Sequence, residues 1–199
     1  MLTTLPIQCR CGSLRGTLTN PAPALRLVCY CRDCQTYARA LGKGVDILDS
    51  NGGTNIVASL QQRVLFSHGR DKLACMSLTD AGSYRWYAGC CNTPIANTTR
   101  RPQMSYVGLV HACLASSPAK VSDIWPAHFT VNTANANGSV PSPGIKALMA
   151  TLSIAKRVIG ARIAGTWRGT PFFAQGTSRP VVEPRVLSGA ELQSARSAV

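Results

Sequence analysis

A chain of 199 residues, 45% hydrophobic and 15% charged, has enough apolar material for a core with an appendage and too little charge for a disordered polymer. Its formal net charge of +13, from 21 Lys+Arg against 8 Asp+Glu, draws anions such as nucleic acid, anionic lipid or a small acidic substrate. The basic residues are mostly single arginines, 12 against 5 acids before residue 115 and 9 against 3 after it, so the runs of a nucleic-acid arm are missing and nucleic acid is not the favoured partner. No window approaches the ~18 continuous apolar residues of a membrane span. The stretch from Met1 to Ile7 lacks the basic start and apolar run of a secretory signal. A reducing, cytoplasmic setting is therefore the expectation, and there paired cysteines read as metal ligands or reactive thiols before they read as disulfides.

In chain order, 5–19 reads as a strand, a tight turn and a strand, with Gly12 free to take the positive φ of the turn. A short strand at 25–28 runs into a cysteine-rich loop, and Gln35 to Leu41 reads as a turn or two of helix stopped by Gly42. After the turn signal at Asn51 to Thr54, short strands follow at 55–60, 63–67, 73–78, 83–88, 93–97 and 105–114. The fold class expected is mainly β. Residues 115–144 are rich in Ser, Pro, Asn and Gly and read as a loop or linker between a β domain over 1–114 and a helical, aromatic extension over 145–199. Ile145, Leu148, Met149, Leu152, Ile159 and Ile163 recur at helical spacing, so 145–164 reads as a helix ended by Gly165 and decorated by Lys146, Lys156, Arg157 and Arg162. Its apolar side is expected to pack on the sheet, as in most soluble proteins, rather than to lie on a membrane. Trp125, Trp167, Phe172 and Phe173 read as packing residues. Ser188 and Glu191 stand three residues apart, the spacing of a capping box that opens a last short helix.

Seven of the nine cysteines form three clusters: Cys9-x-Cys11-Gly12, Cys29-x-Cys31-x-x-Cys34 and Cys90-Cys91. A Cys-x-Cys pair on a turn points two sulfurs at one ion, and a second pair from a distant segment closes a tetrahedron around zinc. Cys9 and Cys11 are one half-site, and Cys90-Cys91 is the nearest unused pair of that type. Cys29, Cys31 and Cys34 differ in offering three thiolates from one loop, which leaves a fourth zinc position open for water or substrate. Cys75 and Cys113 sit in apolar strands and read as core residues. His68, His111 and His128 are irregularly spaced and are assigned no metal. Arg10, Arg32 and Arg85 flank the cysteine motifs and suit either thiolate charge or a substrate carboxylate, while Asp33 is the one carboxylate inside a motif.

The order Cys-x-Cys-Gly, then Cys-x-Cys-x-x-Cys-Gln, then RWYAGCCNTP over Arg85 to Pro94 resembles the glutathione-dependent formaldehyde-activating enzyme family, which includes the centromere-protein-V-like proteins. The resemblance covers about residues 5–114. It implies two small antiparallel β-sheets pitched as a tent and stapled by zinc. Cys9 and Cys11 would then be structural ligands, and Cys29, Cys31 and Cys34 would be ligands of a second, catalytic-type zinc. The third motif departs from the family's aromatic-Cys-x-x-Cys-Gly pattern. Ala88 stands where the first cysteine belongs, Cys91 matches the second, Asn92 replaces the glycine and Cys90 is extra. Adjacent strand residues point to opposite faces, so either the chain turns and both sulfurs reach one ion, or Cys90 faces away toward the second group. Tyr30 stands where many relatives carry histidine, and the segment after residue 114 is not the usual family ending.

The resemblance implies a zinc-dependent carbon–sulfur lyase-type enzyme that joins or separates a glutathione-like thiol and a small carbonyl compound. The other readings are a non-enzymatic zinc-stapled module for an anionic partner, and a thiol redox or metal-handling protein with Cys90 as the reactive group.

Overall fold

The computed structural model describes residues 3–114, 121–125 and 128–197. The first elements are β1 (Thr4–Gln8), β2 (Arg15–Thr19), β3 (Leu25–Cys29), α1 (Arg32–Ala40), α2 (Gly44–Ile47) and β4 (Thr54–Leu60). Five strands follow: β5 (Val64–His68), β6 (Leu73–Ser77), β7 (Tyr84–Ala88), β8 (Thr93–Thr98) and β9 (Tyr106–Val110). The remainder holds α3 (Val121–Ile124), β10 (His128–Val131), α4 (Ile145–Ile163), β11 (Arg185–Val186) and α5 (Gly189–Ser197).

The strands form two sheets. One has three antiparallel strands in the order β1-β2-β5, and the other has eight in the order β10-β3-β4-β9-β8-β7-β6-β11. The larger sheet is bigger than the small antiparallel sheet expected, and it is mixed, because β10 lies parallel to β3 and β11 parallel to β6. Both additions come from sequence far downstream. Residues 128–131 fall in the stretch read as loop, yet His-Phe-Thr-Val is a short β-branched and aromatic run suited to an edge strand.

In β1 and β2 of the small sheet alternation decides which face is buried, whereas β8 of the larger sheet is buried on both. In β1, Leu5 and Ile7 point inward between exposed or half-buried neighbours, and Leu18 does the same in β2. They meet Val57, Trp86, Ala96 and Leu109 from one face of the larger sheet. The indole of Trp86 lies 5.1 Å from the Phe172 ring and 6.3 Å from Phe173, and its N–H donates to Thr98 Oγ1 at 2.9 Å. The aromatic tail thus sits inside the main core. Gly16 is obligatory where β2 meets β5, since a Cβ there would lie 2.3 Å from the Leu65 carbonyl oxygen.

The opposite face of the larger sheet carries α1. Tyr37, Ala38 and Leu41 pack on Met76 and Val110, and the Tyr37 hydroxyl donates to the Trp86 carbonyl at 2.7 Å. The helix begins at Arg32, earlier than the sequence pattern indicates, because Cys31 acts as its N-cap: the Cys34 amide donates to Cys31 Sγ at 3.3 Å.

Helix α4 corrects one expectation. It buries Ala147, and packs Val158 and Ala161, with half-buried Ile154, against Leu60, while the large residues Ile145, Leu148, Met149, Leu152, Ile159 and Ile163 face outward. Periodicity reveals a stripe but not its destination. Here the side with Ala147, Ile154, Val158 and Ala161 faces the protein.

The capping box forms as its spacing indicates. The Ser188 amide donates to Glu191 Oε2 at 2.9 Å and the Glu191 amide to Ser188 Oγ at 3.3 Å, while Arg185 Nη1 reaches Glu191 Oε1 at 2.7 Å. Arg185 first, then Ser188, draw the carboxyl down from 4.5 to about 2. A lowered carboxylate stabilises the fold above its ordinary value and loses that contribution as pH falls through the lowered one. Amide hydrogen exchange over 189–197 is therefore expected to quicken as pH drops from 4.5 toward 2, after correction for the intrinsic rate. In Glu191→Gln the helix should already be frayed at neutral pH, with no further change over that window.

Candidate metal centres

Two groups of sulfurs gather from separate parts of the chain. Cys9, Cys11, Cys90 and Cys91 have Sγ atoms all within 4.8 Å of one another, and so do Cys29, Cys31 and Cys34. All nine cysteines are free.

The first group joins two turns. After β1, Gly12 takes φ 77° and its amide closes on the Cys9 carbonyl at 2.9 Å, which turns Cys9 and Cys11 to the same side. After β7, residues 89–92 form a turn in which the amides of Cys91 and Asn92 both point to the Ala88 carbonyl. The strand rule that separates neighbouring side chains no longer applies there, so Cys90 and Cys91 both reach Cys9 and Cys11. Asn92, with φ 54°, adopts the left-handed conformation that asparagine tolerates best after glycine. Cys90 Sγ lies 3.3 Å from Cys11 Sγ and 3.9 Å from Cys9 Sγ, so it belongs to the first group and does not face the second. Ala88 remains fully buried in the core.

Polar groups surround these sulfurs. The Leu14 amide donates to Cys9 Sγ at 3.2 Å, and Thr93 Oγ1 lies 3.1 Å from Cys91 Sγ. Thr93 also accepts from the Arg10 amide at 2.9 Å, which locks the two turns together. The Arg10 side chain instead reaches out to Asp46 at 3.3 Å. Hydrogen bonds with Ser13 bring Cys11 down to about 6, whereas Cys90 is pushed up to about 12 by desolvation and by sharing hydrogen bonds with Cys11 and Cys9. One thiolate forms readily and resists the next, so the full set of four negative ligands requires a cation.

The second group sits where β3 runs into α1. Cys29 ends the strand, Cys31 caps the helix and Cys34 lies in its first turn. The N-terminus of α1 favours negative charge at this point. Hydrogen bonds from Cys31 and Cys34 hold Cys29 down at about 2, and the same contacts push Cys31 and Cys34 up. Three donors serve the sulfurs: the Cys34 amide on Cys31, Asn132 Nδ2 on Cys29 at 3.5 Å and Arg85 Nη1 on Cys34 at 3.7 Å. Arg85 is buried, and its second nitrogen bonds Asp33 Oδ2 at 3.3 Å. Burial works against its charge, but the Cys34 sulfur and Asp33 outweigh that penalty. Among the described residues, no fourth histidine, cysteine or carboxylate joins this group.

Beside it, Arg32, Arg39 and Arg196 line a cavity of about 530 Å³ together with Gln35 and Asn135. Cys75 and Cys113 lie apart from both groups in the core, where burial pushes Cys75 up to about 12 and Cys113 higher still. Asn132 was not visible as a site residue in the sequence. It reaches Cys29 because β10 runs parallel to β3 with Val131 opposite Cys29, a long-range pairing that leaves no local signal.

A family described as of unknown function, DUF6151, matches residues 1–184. The chain belongs to that family. The match takes in both sulfur groups, β10, α4 and the aromatic tail, and stops before α5. No curated protein and no solved structure matches the chain.

For this DUF6151 member the two groups should load independently. Elemental analysis of protein purified without added metal is expected to give two ions per chain. Cys90→Ala should keep only the second ion, and Cys31→Ala only the first. Closed sulfur sites contribute folding free energy on the order of 10 kcal/mol. Thermal unfolding should therefore fall far more in Cys90→Ala, which frees two distant turns, than in Cys31→Ala, whose three sulfurs share one loop.

Proposed function

We propose that this chain is a zinc enzyme of thiol–carbonyl chemistry, a carbon–sulfur lyase-type catalyst on a zinc-stapled pair of sheets. The three-sulfur group with no fourth protein ligand among the described residues carries the reading. A zinc tetrahedron with bonds of about 2.3 Å has sulfur–sulfur edges of about 3.8 Å. The Cys9–Cys11, Cys9–Cys90, Cys11–Cys90 and Cys90–Cys91 separations of 3.3–3.9 Å, with all four sulfurs within 4.8 Å of one another, support a closed, structural ion. Cys29, Cys31 and Cys34 would hold a second ion with one side free. The hydrogen bonds from Asn132, Arg85 and the Cys34 amide are the second-layer donors such thiolates need. When bound, zinc supplies Lewis acidity there, favouring the ionised form of an incoming thiol and polarising a carbonyl oxygen.

The chain's own residues supply orientation and charge. Arg85 offsets part of the sulfur charge from inside the protein, and Asp33 fixes its guanidinium. Arg32, Arg39 and Arg196 offer a docking place for the carboxylates of a glutathione-like thiol, in a cavity also lined by Asp33, whose carboxylate bonds the Arg85 that reaches Cys34. In the reaction the substrate sulfur bonds to the carbonyl carbon, the C=O electron pair moves to oxygen, and that oxygen ends with the proton the thiol lost. The reverse reaction breaks the same carbon–sulfur bond. The resemblance to the formaldehyde-activating family supports this reaction class. A binding role without turnover is the second reading, favoured by the outward-facing apolar stripe of α4.

The test is the rate of adduct formation between glutathione and formaldehyde, followed by NMR exchange spectroscopy. The wild-type chain should accelerate it. Cys31→Ala should stay folded, keep its first ion and lose turnover by at least about a hundredfold, the scale of Lewis-acid and positioning effects together. Arg32→Ala with Arg39→Ala should raise KM by roughly tenfold at little cost in kcat, as expected for lost charged contacts. Turnover undiminished in Cys31→Ala would remove the mechanism.

A further inference from the structure

Helix α4 presents six large apolar side chains to the outside. Ile145, Leu148, Met149, Leu152, Ile159 and Ile163 are each between 56% and 83% exposed. They recur on one side of a 19-residue helix, a stripe about 28 Å long. The side facing the protein is occupied by Ala147, Val158 and Ala161. A soluble surface rarely leaves a continuous apolar patch beyond roughly 300–600 Å² uncovered, and larger ones mark a place of contact.

Charge decides the occupant. The helix carries Lys146, Lys156, Arg157 and Arg162 and not one Asp or Glu. Among the described residues none of these cations is in a salt bridge. At helical spacing, Lys146 and Arg157 fall on one flank of the stripe and Arg162 on the other, while Lys156 lies within it, where its long stem can carry the ammonium out to the headgroups. A second copy of the chain is a poor match, because two such helices face to face would oppose four cations with four and supply no carboxylate to pair them. Nor is the helix long and apolar enough to cross a membrane. A basic helix with an unburied apolar side and no acids matches the interface of an anionic bilayer, with side chains among the upper acyl chains and cations among the phosphates.

We propose that α4 seats the protein on an anionic membrane surface, lying in the plane of the headgroups. The seat is independent of the chemistry assigned to the sulfur groups. It is tested by co-sedimentation of the full chain with vesicles of phosphatidylcholine containing phosphatidylglycerol, and with phosphatidylcholine alone. The chain should pellet with the anionic vesicles, much less with the neutral ones, and be released as salt rises.

Leu152→Ser with Ile159→Ser should weaken binding by about tenfold per side chain. Lys146→Glu with Arg162→Glu should weaken it by at least about fivefold per charge. All four positions are exposed, so circular dichroism and metal content should not change. Equal binding to neutral vesicles, or anionic binding that survives both double variants, overturns the proposal. So does a concentration-dependent dimer in light scattering that Leu152→Ser with Ile159→Ser abolishes while no vesicle binding is seen, which would assign the stripe to a second copy.

Discussion

Sulfur crowding is the constraint around which the fold is arranged. Cys9 and Cys90 are 81 positions apart in the chain and 3.9 Å apart at sulfur. Bringing such distant segments together costs loop-closure entropy, and the thiols cannot repay it alone. Each ionised sulfur makes the next harder to ionise, and neutral thiols are weak hydrogen-bonding partners. A cation reverses the sign of this interaction. It turns mutual repulsion into shared ligation, and the free energy of binding becomes free energy of folding. The Leu14 amide donates to the Cys9 sulfur, and the hydroxyls of Thr93 and Ser13 lie within hydrogen-bond reach of Cys91 and Cys11.

The two groups respond differently to the same chemistry because their sulfurs arrive differently. The first is assembled from two turns, so its integrity reports on tertiary structure. The second is nearly local: Cys29, Cys31 and Cys34 are placed by the end of β3 and the first turn of α1, and the sulfur of Cys31 is itself the helix cap. A local group depends less on distant packing for its shape. Its long-range partners are the donors Asn132 and Arg85, which arrive on β10 and β7 and touch the sulfurs rather than complete a cage.

Much of this was legible in the chain, for identifiable reasons. Short runs bounded by turn residues give β1 through β9 to within a residue or two at most ends, because Gly, Asn and Asp punctuation is a local signal. Short cysteine spacing marks both groups, because ligands on one turn must be near in sequence. The side to which Cys90 points was open at that level. The answer lies in the turn at 89–92 and in Asn92 standing in the left-handed region. The edge strand β10 was hidden in a Ser-, Pro- and Asn-rich stretch, and its parallel pairing depends on a partner far upstream. The direction of α4 was hidden for another reason. Both of its sides are apolar enough to be buried, and the choice depends on the shape of the surface below it.

Strand β7 reaches both groups. Within its five residues, Arg85 faces α1 and reaches Cys34, Trp86 faces the small sheet and fills the core, and Ala88 accepts the amides of the turn that delivers Cys90 and Cys91. Because side chains alternate along a strand, a slip of one residue would drive the Arg85 guanidinium into the aromatic core and turn Trp86 toward the sulfurs. The pairing with β8 is regular up to Trp86 and shifts between Trp86 and Tyr87. That irregularity separates the segment set by the core from the segment set by the hairpin turn, so each can meet its own geometric demand. The core around Trp86, Phe172 and Phe173 therefore does more than bury apolar area. By fixing the register of β7 ahead of that irregularity it sets the reach from Arg85 to Cys34 on the other side of the sheet.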